Sequence, residues 1–138
     1  MKNVLRFAVL FSLVVAFSVV ATAQVKKGKT RLLTTKQFMG GLIKPQSGGL
    51  GEGLKTAPAD DKAWAELATK AALLNEASYT MMDDDRCPDE VWAKAAKTLG
   101  DGTAALIQKI EAKDLAGAQD AFKTASSSCG TCHKAHKK

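Results

Sequence analysis

Apolar residues along this chain recur at steps of three and four, and no useful stretch shows the alternation of two that marks a half-buried strand. Four segments carry the helical rhythm. The first runs through Leu32, Leu33, Phe38, Met39, Leu42 and Ile43, with Thr34 or Thr35 available as a cap and Pro45 at its end. The second opens on Asp60 and Asp61 after Pro58 and sets Trp64, Leu67, Ala68, Ala71, Leu74 and Ser78 on one face, up to Met81. Asp83, Asp84 and Asp85 belong in the turn that follows, because acids are unfavourable at a helix C-terminus. The third is expected to begin at Pro88, with Asp89 and Glu90 in its first turn and Trp92, Ala95, Leu99, Leu106 and Ile110 inward. Gly100 and Gly102 interrupt it and predict a bend or the close approach of another backbone. The fourth, capped by Asp114, points Leu115, Ala118, Phe122, Ala125, Cys129 and Cys132 one way.

Residues 45–59, rich in glycine and containing Pro45 and Pro58, read as a long loop. Their glycines lack the spacing to a lysine and hydroxyl residue that a phosphate cradle needs. Four helices with one long Gly-rich connection, between the first and second, and two short ones predict an all-α fold, an antiparallel four-helix bundle.

Composition narrows the setting. Residues 1–23 have the layout of a cleavable export signal: Lys2 and Arg6, then an uncharged apolar run, then Ala21-Thr22-Ala23. An uncleaved anchor is the competing reading. The apolar run is short for a membrane span, and no later segment approaches the ~20 apolar residues that one needs, so no stable membrane insertion is expected and the location is periplasmic or otherwise exported. Residues 24–31 form a basic, flexible lead-in, and 32–138 the domain, long enough for one modest core. The formal charge of +6 falls by two when Lys2 and Arg6 are removed. This mild excess, interleaved with acids, suits an acidic protein partner and does not point to nucleic acid.

The chemistry is concentrated in Cys129-Gly130-Thr131-Cys132-His133. Two thiols at i and i+3 share a helix face and can reach the two vinyl groups of one haem, and the next residue offers its imidazole to the iron. The pattern is that of covalent haem c attachment: Cys129 and Cys132 hold the cofactor and His133 is the proximal ligand. A redox dithiol and half of a zinc site are the alternatives. The first lacks a βαβ setting, and the second has only Cys87 and His136 as further ligands. Calcium at Asp83, Asp84 and Asp85 lacks the alternating loop pattern. His136 is expected to be exposed. Cys87, the odd cysteine, is either buried or forms an intermolecular disulfide, which would make a homodimer. In an antiparallel bundle the end of the fourth helix gathers Met39, Tyr79, Met81, Met82, Cys87, Pro88 and Trp92 around the cofactor.

From about Leu32 onward the chain resembles the class II cytochromes c, which include the cytochromes c-prime and carry their haem motif near the C-terminus. Beyond Cys129-Gly130-Thr131-Cys132-His133, the match is Lys36-Gln37-Phe38-Met39, similar to the family's arginine-glutamine pair followed by an inward methionine, with lysine in place of the arginine. The resemblance implies that Met39 is the sixth iron ligand, as in low-spin members, and that Lys36 pairs with a haem propionate. The expected function is a non-enzymatic carrier of single electrons between redox proteins, since a histidine–methionine pair closes both axial positions. The competing expectation is a five-coordinate haem that binds nitric oxide or another small gas. A peroxidase would need a distal histidine and arginine that the chain does not supply.

Overall fold

A computed structural model describes residues 31–137. The expected export signal and the lead-in, apart from Arg31, lie outside the described residues. The described chain is helical, and we number four helices. α1 comprises an α-helical run Thr35–Phe38, a π-helical turn Met39–Ile43 and a second α-helical run Lys44–Gly53, with helical backbone through both junctions. α2 spans Asp61–Met82, α3 Glu90–Glu111 and α4 Leu115–His136.

Each start is explained by a capping side chain. Thr34 and Gln37 form a capping box: the Gln37 amide donates to Thr34 Oγ1 at 3.2 Å, and the Thr34 amide donates to Gln37 Oε1 at 3.0 Å. Asp60, Asp89 and Asp114 accept the amides of Ala63, Trp92 and Gly117 at 2.8, 3.0 and 2.9 Å. Pro88 therefore precedes the cap of α3 and does not open the helix. The α2–α3 turn holds Asp84 and Asp85 in the left-handed region (φ 57° and 58°), which aspartate tolerates better than most side chains.

The expected loop at 45–59 is corrected. Helix continues through Gly53, and the connection is confined to residues 54–60. Proline inside an α-helix forfeits a bond to the carbonyl four residues back and crowds it. Here the wider π turn comes immediately before, with the Lys44 amide donating to the Met39 carbonyl, so Pro45 stands in the first turn of a new α-helical run. Three of the glycines that argued for a loop, Gly49, Gly51 and Gly53, lie where α1 meets its neighbours. A Cβ on Gly53 would fall 2.6 Å from the Leu67 side chain, and one on Gly51 would touch the Phe122 ring at 3.5 Å. Burial of Leu50 and Leu54 against those helices, at ~2 kcal/mol each, offsets the ~1 kcal/mol that an interior glycine costs.

Each helix packs on its neighbour in the chain, and α1 also meets α4. Trp92, early in α3, donates from its indole to the carbonyl of Met81, late in α2. Further along, Asn75 donates to the Gly100 carbonyl at 2.8 Å and to Thr103 Oγ1 at 3.1 Å. The α3–α4 contact is closer. A Cβ on Gly102 would lie 2.8 Å from the Ala125 Cα, backbone that has nowhere to go. The interruption at Gly102 is thus a close approach. Gly102→Ala should lower stability by about 1–3 kcal/mol in urea unfolding. Gly41→Ala, where nothing lies within 4 Å, should leave stability unchanged or raise it.

Candidate functional site

The inward faces of α1, α3 and α4 do not close completely on one another. They leave a cavity of about 800 Å³, within the ~300–1,000 Å³ range of cofactor sites. Its walls follow helical periodicity. From α1 come Lys36, Met39, Gly40, Ile43, Lys44 and Ser47, successive neighbours on one face. From α3 come Trp92, Ala95, Ala96 and Leu99, and from the end of α2, Met81. α4 contributes Ser128, Cys129, Cys132, His133 and His136. The lining is predominantly apolar. The Ser128 hydroxyl is already committed to the Ala125 carbonyl at 2.7 Å.

All four residues expected to hold the cofactor face this space. Cys132 is buried and Cys129 half-buried, one helical turn apart. His133 lines the cavity and is exposed, and Met39 enters half-buried from α1. Burial pushes the Cys132 thiol above its ordinary pKa, and the negative charges of ionised Cys129 and of Asp89 add to that. Among the described residues, no three His, Cys, Asp or Glu side chains converge as a metal-ion site of their own. The donors that share the cavity are the thiols of Cys129 and Cys132, the imidazoles of His133 and His136 and the thioethers of Met39 and Met81. They include the set that covalently attached haem takes, two thiols for the macrocycle with histidine and methionine for the iron.

The surroundings differ from expectation in two respects. Of the seven residues expected around the cofactor, Met39, Met81 and Trp92 line the cavity, whereas Tyr79, Met82, Cys87 and Pro88 do not. Tyr79 and Met82 are 62% and 43% exposed, because with Met81 inward its neighbours one and two positions away are rotated off that face. Cys87 is buried off the cavity, its thiol 3.4 Å from the Asp89 carbonyl. His136 is the second correction: it is not exposed. Its ring meets Trp92 edge-on, with centroids 5.4 Å apart, and its side chain is 20% exposed. Nε2 lies 3.4 Å from Asp89 Oδ1, within ion-pair range but without hydrogen-bond geometry. The signal for His136 was its place four residues beyond Cys132, on the same stripe. Ser47 and Gly48 escaped notice because the segment from Pro45 was read as loop.

No protein-family model, curated protein or solved structure matches this chain.

In the reduced chain kept free of haem, iodoacetamide should modify Cys129 faster than Cys132 at mildly alkaline pH. A raised pKa and burial both withhold the Cys132 thiolate. Peptide mapping would read this, and equal rates would contradict the assigned environment.

Proposed function

We propose that the chain is an exported class II c-type cytochrome with a single haem, an electron carrier without catalytic residues of its own, built as an antiparallel four-helix bundle. The observation that carries this reading is the convergence of Cys129, Cys132, His133 and Met39 on one apolar cavity of cofactor size. Cys129 and Cys132 would hold the haem through thioethers, and His133 from α4 and Met39 from α1 would ligate its iron. Haem so held supplies a one-electron couple whose potential a histidine–methionine pair raises.

The chain's own residues set the conditions. Ala95, Ala96, Leu99 and Trp92 exclude water from one wall and lower the local dielectric. The Trp92 indole bond to the Met81 carbonyl, 2.8 Å and buried, fixes the ring that bounds the cavity next to α4. Lys36, Lys44 and Lys137 line the same cavity; they give it a positive rim suited to propionates and to an acidic redox partner. Contacts that pair late α2 with early α3 support the antiparallel order. Export rests on residues 1–23, and among the described residues no helix is long and apolar enough to cross a membrane.

The test is expression with export and haem-ligation machinery, followed by spectroscopy. Haem should resist acid–acetone extraction in the parent protein and be released in a Cys129→Ser/Cys132→Ser double variant. The ferric spectrum should be low-spin with a weak near-infrared sulfur-to-iron band, and Met39→Ala should turn it high-spin. A high-spin parent that binds carbon monoxide readily, indifferent to Met39→Ala, would favour the gas-binding alternative.

A further inference from the structure

The first turn of α1 leads directly into Met39 and, apart from the Thr34–Gln37 capping box, is weakly supported from within. Its α-helical run is four residues long, far below the ~12 at which a helix begins to hold alone, and it passes directly into the π turn with Gly40 and Gly41. Its support comes from the α2–α3 turn. Arg86, with a side chain 5% exposed, donates from Nη2 to the Leu33 carbonyl at 2.6 Å and from Nη1 to Thr35 Oγ1 at 3.4 Å. Its guanidinium lies 5.8 Å from the centre of the buried Phe38 ring. Asp84, 4.0 Å away and equally shielded, balances the charge.

This arrangement is costly. Two consecutive aspartates hold left-handed backbone, and Arg86 Nε is buried without a hydrogen-bond partner. Those costs are sustained by contacts that fall on residues 33, 35 and 38, immediately before Met39. A lysine could not replace them, since only a planar fork reaches a carbonyl and a hydroxyl while lying over a ring.

We propose that Arg86 is the positioning residue for Met39: by gripping Leu33, Thr35 and Phe38 it sets how far the thioether enters the cavity. This rests on the haem-carrier reading above. With the grip loosened, the first turn of α1 pivots at the π turn and the population with Met39 withdrawn grows. Loss of a charged hydrogen bond of this kind shifts such a balance roughly tenfold or more.

The experiment compares the haem-loaded parent with Arg86→Lys, Phe38→Leu and Met39→Ala by ferric spectra, carbon monoxide association and hydrogen exchange. Arg86→Lys should gain high-spin character and bind carbon monoxide roughly tenfold faster, with faster amide exchange confined to residues 33–43. Phe38→Leu should move all three the same way by less. If Arg86→Lys fails to fold, Phe38→Leu carries the test. The proposal is overturned if the foldable variant matches the parent in spin state and carbon monoxide rate while Met39→Ala does not. A parent indifferent to Met39→Ala overturns Met39 ligation itself, so the two failures are distinguishable.

Discussion

The contact on which the rest of the structure depends is the approach of α3 to α4 at Gly102 and Ala125. The two backbones come so near that no side chain fits between them, and this leaves α4 a single rotational setting. Ala118, Ala125 and Cys132 are spaced by seven, two helical turns each, and are 0%, 1% and 8% exposed. One stripe therefore begins as packing and ends as chemistry. The orientation of the cysteine pair is inherited from alanines that do no chemistry.

Where the stripe reaches Cys129 and Cys132 the packing opens: the facing part of α1 includes the small residues Gly40, Ser47 and Gly48, which leave the space between the helices unfilled, and Trp92 bounds it on the α3 side. The cavity is thus a change in side-chain size along faces that are otherwise complementary. Its apolar walls and positive rim follow from the same periodicity, which turns lysines to the edge of the face and alanines to its centre.

Much of this could be read from the amino-acid order. The spacings of Trp64 to Met81, Trp92 to Ile110 and Ala118 to Cys132 gave three helices and their inward faces, and Asp60 and Asp114 marked two starts. The failures share one cause. Local rules count Pro45 and the glycines after it against a helix, but the π turn and the close packing at Gly53 are tertiary solutions that local rules do not register. Losing that half of α1 hid Ser47 and Gly48, the far end of its cavity wall. His136 was missed for a simpler reason: nearness to the chain end suggested exposure, whereas Trp92 and Asp89 were waiting on the neighbouring helix.

The π turn also sets the phase of α1 along its length. Lys36 before it looks onto the cavity, as do Met39, Gly40 and Ile43 within it and Lys44, Ser47 and Gly48 just after it; further on, Leu50 and Leu54 are buried in the core. A residue more or less in a helix turns everything downstream by ~100°. The extra residue in Met39–Ile43 therefore acts as a gear that sets which residues further along reach the cavity and which reach the core, and the length of that turn is held by geometry more tightly than the identity of its residues.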